Sequence, residues 1–271
     1  MTSVIAQTFE KTRKLGRAAF MPFMTAGFPG PSTFMEIIQV LDQNGADLIE
    51  IGLPFSDPLA DGPTIQKAGQ IALENGLTPP AVLDLAAQAR ARIKSPLVLM
   101  SYWNPILQMG PGAFAAGARD SGLAGVIVPD LPPEEAEAWI EAARSCGLDT
   151  VFMVAPTTTA RRRRKILAVA RGFIYYVSLT GVTGSAFAVT DELLNDIGSL
   201  RRDASLPVAV GFGVSGPVEA RALASVADGV IVGSALVRRV FTKDKPAEQT
   251  AAVAELAAAI KAALGPTRSK S

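Results

Sequence analysis

The sequence predicts an α/β chain folded as a (β/α)8 TIM barrel with an extra N-terminal helix. It is expected to be one domain over residues 1–271, with 266–271 as a frayed tail. Three observations carry that expectation. Eight short apolar runs alternate with longer amphipathic ones along the chain. The runs are bulky and nearly continuous in hydrophobicity, as strands covered on both faces are. Each closes in a Gly/Pro-rich turn. A doubly wound open sheet is the structural rival. It needs fewer strands, and no GxGxxG opens the first strand–turn–helix unit. No linker or shift in composition marks a second domain.

In order, the runs are AAFMPFMTA (18–26), DLIEIG (47–52), PLVLMS (96–101), AGVIVP (124–129), DTVFMVA (149–155), FIYYVS (173–178), PVAVGF (207–212) and DGVIVG (228–233). Helical patterns fill the gaps. STFMEIIQVLDQNG is expected to start at a Ser32 cap, to put Phe34, Ile37, Ile38 and Leu41 on one face and to stop at Gly45. PPEEAEAWIEAARSCG places acids in a first turn, where the helix dipole favours them. The last helix aligns Val253, Leu256, Ile260 and Leu264 and halts at Gly265-Pro266. A leading helix over Thr2 to Leu15 is expected to cover the barrel floor.

Composition narrows the chemistry. A formal net charge of +1 gives no global field for nucleic acid or an anionic membrane. The single cysteine, Cys146, excludes an internal disulfide and fits a reducing compartment. No histidine is present, which removes Ser-His-Asp and Cys-His catalysis and His-ligated zinc, and no other metal site is expected. General acids and bases must then be carboxylates, Lys, Tyr or Cys. The longest weakly charged stretch is interrupted by Pro96, Pro105 and Pro111, against a membrane span. Pro22 interrupts a faint signal-peptide pattern at the N-terminus, so a cytoplasmic location is expected.

Glu50 lies in the middle of the second apolar run. Alternation turns Ile49 and Ile51 to the helices and Leu48 and Glu50 to the barrel centre. A carboxyl among apolar side chains has a raised pKa and becomes a proton donor near neutrality. The other reading is a structural carboxylate held by backbone NH groups. Asp61, in LADGP, follows on the loop; alone it reads as a turn former. Paired with Glu50, it places a second acid on a segment able to close over a substrate. GVTG, GFGVSGP and VGSALV follow the sixth, seventh and eighth runs, where barrels build phosphate sites. RRRRK (161–165) reads as a solvated helix face. No lysine ends a strand, which disfavours imine chemistry.

These residues together resemble the tryptophan synthase alpha chain family. EIGLPFSDPLADGPTIQ, MPFMTAGFPG, YWNP, GVTG, GFGVS and GSA carry the resemblance, from about Phe20 to the last helix. It implies a lyase that cleaves indole-3-glycerol phosphate to indole and glyceraldehyde 3-phosphate. Glu50 would match the catalytic glutamate and Asp61 the aspartate that accepts the indole N–H. The resemblance implies a substrate-binding role for Tyr175, Thr183, Gly184, Gly213, Gly233 and Ser234, and an indole pocket of Phe23, Met100, Ile127 and Phe212. It implies no cofactor in this chain. Its partner would be a PLP-bearing beta chain in an alpha2-beta2 heterotetramer, docked near Pro54, Asp57, Asn104 and Asp130. Leu179, Phe173 and Pro129 depart from common residues of the family at the loop after the sixth run, on that run and at the pocket edge.

Two other readings stay open on the residues alone. One is another phosphate-sugar barrel, an isomerase or the indole-ring-forming synthase, which would need a strand-end lysine or a differently placed acid pair. The other is a barrel that only binds phosphate or activates a partner, which would have no need of both acids.

Overall fold

The computed structural model describes residues 3–177, 189–211 and 213–265. Leu179, Thr183, Gly184, Phe212 and the expected tail 266–271 lie outside them.

Eight parallel strands close into a barrel in sequence order: β1 (Ala19–Thr25), β2 (Ile49–Gly52), β3 (Leu97–Met100), β4 (Leu123–Ile127), β5 (Asp149–Val154), β6 (Ile174–Val177), β7 (Val208–Gly211) and β8 (Gly229–Val232). All eight predicted runs are strands. β1 closes the cylinder on β8 with Ala19 opposite Gly229 and Pro22 opposite Val232.

Among the described residues there are twelve helices: α1 (Val4–Lys14), α2 (Pro31–Gln43), α3 (Pro63–Glu74), α4 (Pro79–Arg90), α5 (Trp103–Met109), α6 (Pro111–Asp120), α7 (Glu137–Ser145), α8 (Ala160–Val169), α9 (Asp191–Asp203), α10 (Pro217–Ala224), α11 (Ser234–Phe241) and α12 (Pro246–Ala263). Two stand between β2 and β3, two between β3 and β4, and α11 and α12 follow β8. The sequence pattern misplaced two starts. The first is α2, which begins at Pro31 with Gly30 as its N-cap, so Ser32 lies inside the first turn. Proline at the first helical position gives up a donor that has no partner there anyway. The second is α7, which begins at Glu137; that acid is in its first turn, while Glu134 and Glu135 precede it.

The leading helix does cover the floor. Ser3 caps α1 by accepting from the Ala6 N–H at 3.2 Å. Phe9 then enters the cylinder's lower end beside Phe173, ring centroids 5.7 Å apart. A Cβ on Gly229 would meet the Met21 sulfur at 2.8 Å and the Phe9 ring at 3.1 Å, so that position has no room for a side chain. On the same side, Asp47 accepts both arms of the Arg17 guanidinium at 2.6 and 2.7 Å, the Lys261 ammonium at 2.8 Å and the Phe20 N–H at 2.9 Å. Burial pushes Asp47 up, but those donors together hold its carboxyl below the usual range.

RRRRK opens α8 under a Thr159 cap. Arg163 pairs with Asp196 at 3.0 Å and Lys165 with Glu134 at 3.0 Å, while Arg161, Arg162 and Arg164 face solvent. It is a helix face, as the sequence implied. Cys146 caps the end of α7, half-buried.

Candidate active site

Glu50 pairs in register with Phe23 of β1 and Val98 of β3 and is fully buried. Its side chain points to the barrel interior. Gly52, two residues on and on the same face, sits under the Phe23 ring, where an added Cβ would be 2.5 Å from the ring tip. The charge of Glu50 reaches Tyr175, which stands on β6 across the cylinder. Both carboxylate oxygens of Glu50 are buried, and neither has a hydrogen-bond partner among the described residues. A structural carboxylate held by backbone NH groups is thereby ruled out within that set.

Burial, then the charge of Asp61, push Glu50 up to about 8. At neutral pH it carries a proton that it can give away. Asp61 lies on the loop after β2, half-buried, and burial raises it to about 6 against a hydrogen bond from Tyr102 that lowers it. It is therefore mostly ionised at neutral pH. Burial, then the charges of Glu50 and Asp61, push the Tyr175 phenol well above its ordinary value, so it stays a neutral O–H.

Phe23, Thr25, Gly52, Met100, Tyr102 and Asp61 line one cavity under the loop. Met100 and Ile127 are register partners one level above Glu50, both buried. The predicted indole-pocket residues Phe23, Met100 and Ile127 therefore come together at the mouth that Glu50 faces. Tyr102 and Thr25 were missed by sequence reasoning. YWNP was read only as a family mark, and a Tyr two residues past a strand carries no signal of its own.

Gly213 follows β7 with φ +75°, a backbone that favours glycine, and Gly233 follows β8. α11 starts at Ser234. Its first backbone bond runs from the Leu236 N–H to the Gly233 carbonyl at 2.9 Å. The N–H groups of Ser234 and Ala235 precede it at a helix N-terminus, which suits an anion. An added Cβ on Gly233 would lie 3.2 Å from Phe23. One aromatic side chain thus separates this terminus from the strand of Glu50. Among the residues predicted for the partner face, Asp57, Asn104 and Asp130 are exposed, and Asp130 also accepts the Trp103 N–H at 2.8 Å. Pro54 is buried and lines the cavity instead. No group of acids or Cys that could hold a metal occurs among the described residues.

A closed barrel with a buried interior acid, a second acid on the loop above it and a helix N-terminus at one mouth fits an acid–base enzyme of the (β/α)8 class. The model of the tryptophan synthase alpha chain family matches residues 9–264. Curated alpha chains are similar over nearly full length: Geotalea uraniireducens at 46% identity, covering 97% of this chain and 100% of the relative, and Geobacter sulfurreducens at 44%, covering 97% and 99%. Among solved structures, the Legionella pneumophila alpha chain aligns with TM-score 0.90 at 34% identity, over 100% of both chains. Tryptophan synthase of Mycobacterium tuberculosis aligns with TM-score 0.89 at 35% identity, over 98% of this chain and 99% of that one.

The chain belongs to the tryptophan synthase alpha chain family. It is a lyase of tryptophan biosynthesis, carrying out the alpha reaction, the retro-aldol cleavage of indole-3-glycerol phosphate to indole and glyceraldehyde 3-phosphate.

Proposed function

We propose that Glu50 and Asp61 perform this cleavage as acid and electrostatic partner. An indolyl carbanion is a poor leaving group, so C3 of the ring is protonated before its bond to the glycerol carbon breaks. Glu50 delivers that proton to C3. The ring nitrogen then carries positive charge, and its N–H donates to the ionised Asp61, an interaction that is strong where water is excluded. As the hydroxyl on the adjacent carbon loses its proton to the Glu50 carboxylate, the carbon–carbon bond pair returns to the ring. Indole and an aldehyde result. Tyr175, neutral and buried, packs against the substrate beside Glu50. The family resemblance assigns Thr183 to the acidic loop and Phe212 to the ring pocket, both outside the described residues, and Phe23, Met100 and Ile127 supply the rest of that pocket. Gly184, Gly213, Gly233 and Ser234 receive the phosphate.

The observation that carries this reading is the buried Glu50 carboxyl, aimed into the barrel with neither oxygen hydrogen-bonded among the described residues, where burial favours its protonated form. Its test is Glu50→Gln, which should abolish indole formation and leave binding of glyceraldehyde 3-phosphate intact. Near-native turnover would refute the assignment.

The partner is a PLP-bearing beta chain in an alpha2-beta2 heterotetramer, in the cytoplasm. Asp57, Asn104 and Asp130 are exposed at the active-site mouth, beside Leu59 at 90% exposure and Leu107 at 51%. Large apolar side chains exposed beside polar ones at a functional rim support a docking surface. No helix among the described residues is long and apolar enough to cross a membrane.

A further inference from the structure

Asp61 sits on a loop, yet its role requires a fixed aim. The segment from Leu53 to Gly62 has no regular secondary structure. The side chain that meets this loop is that of Tyr102, two residues past the end of β3 and almost fully buried. The Tyr102 oxygen accepts the Ala60 N–H at 2.9 Å. A phenol has one proton and two lone pairs, so accepting from Ala60 leaves its own O–H to donate. That O–H faces Asp61, which lines the same cavity and whose charge bears on the phenol. One hydroxyl thereby holds the amide of Ala60 and stands next to the carboxylate of the following residue.

The grip is itself held. Tyr102 is the N-cap residue of α5, whose next N–H, from Trp103, donates to Asp130 at 2.8 Å. Its ring packs on Phe55 at the start of the loop, centroids 5.4 Å apart. Gln66, on α3, donates to the Asp61 carbonyl at 2.8 Å from the other end.

We infer that Tyr102 is the positioning residue of the lyase, fixing the Asp61 carboxylate with one oxygen engaged and the other free for the ring N–H of the substrate. The inference rests on the role given to Asp61 above. A carboxylate offers about four lone-pair sites, so a bond from Tyr102 does not exhaust it. Preset orientation matters because a misplaced group stabilises developing charge poorly.

The test is a double-mutant cycle on indole formation, with Tyr102→Phe, Asp61→Asn and both together. Tyr102→Phe keeps the ring against Phe55 and removes only an oxygen. Its kcat should fall about tenfold with KM little changed. The acid limb of its kcat/KM profile should move to higher pH, because Asp61 loses a bond that favours its ionised form. Added to Asp61→Asn, it should cause no further loss.

Wild-type rates in Tyr102→Phe, or losses that multiply in the double variant, overturn the inference and leave the role of Asp61 standing. Near-native turnover in Asp61→Asn removes that role, and the inference with it. A measurement free of folding concerns uses the unaltered protein labelled with carbon-13 at the tyrosine ring carbon bearing oxygen. Of three such signals, for Tyr102, Tyr175 and Tyr176, that of Tyr102 should shift as Asp61 titrates near pH 6. A Tyr102 signal flat across that range overturns the inference as well.

Discussion

Glu50 and Asp61 are two acids of one site that lose their protons in sequence. Asp61 ionises first, at about 6, beside a Glu50 that is still neutral. Glu50 follows at about 8, against burial and the charge already on Asp61. Between the two values the site holds one proton on the strand and one charge on the loop, the distribution that the cleavage requires. Separate environments have pushed two carboxyls toward opposite tasks.

The pH dependence follows directly. Indole formation measured as kcat/KM should be bell-shaped, rising through about 6 as Asp61 ionises and falling through about 8 as Glu50 loses its proton. Asp61→Asn should erase the rising limb along with most of the rate. A profile flat from about 5 to about 7, across the rising limb, would remove Asp61 from the chemistry.

Stability should move with the same group. The folded value of Glu50, about 8, exceeds its ordinary 4.5, so the native state holds the proton more tightly than the unfolded chain does. Its contribution is complete below the unfolded value and is lost as pH rises through the folded one, by at most about 1.4 kcal/mol per pH unit between them. Glu50→Gln cannot ionise. Its melting temperature should exceed that of the wild type at pH 8 and approach it in acid. Equal melting curves at both ends would mean that Glu50 is not held neutral by burial.

At the floor the sign reverses. Asp47 is held below its usual range in the folded protein, so its stabilisation is present above the unfolded value and fades as pH falls through the folded one. Asp47→Ala would strand the Arg17 and Lys261 charges, which are 14% and 24% exposed, at a cost of about 3 kcal/mol. That corresponds to a drop in melting temperature of about 6–12 °C. Residual folded enzyme should turn over normally at low temperature, because the lost contacts lie on the face opposite the site. A collapse of kcat without loss of stability would contradict this separation of faces.

Gly211 tests the placement of Tyr175. A Cβ there would collide with the Tyr175 ring and hydroxyl. Gly211→Ala should displace the phenol and lower kcat by about tenfold or more while the barrel persists, since a misplaced group in a packed site costs rate before it costs fold. A crystal structure of the variant with Tyr175 unmoved and full activity would show that its position is not used.

The barrel could be read from its sequence because strands covered on both faces leave an uninterrupted apolar signature, and all eight did so. Glu50 stood out for the same reason, as a charge inside such a run. The paired helices between β2 and β3 and between β3 and β4 were less visible. α5 has seven residues, too few for a helical period to register. The start of α2 was misplaced because Ser32 looks like a cap, whereas Gly30-Pro31 sets the turn. Tyr102 escaped notice because the contact that marks it, with the Ala60 N–H, comes from another segment some forty positions earlier. Spacing along a chain cannot report on partners that only folding brings together.

The pairing of β1 with β8, and the clasp of Lys261 on Asp47 across 214 positions, also set an order of events at the ribosome. The first strand is made early and keeps one bare edge until the last strand has left the exit tunnel. Only then can the C-terminal helix lock over it. A nascent chain of this kind presents an open margin for most of its synthesis, and the arrival of β8 is what ends that exposure.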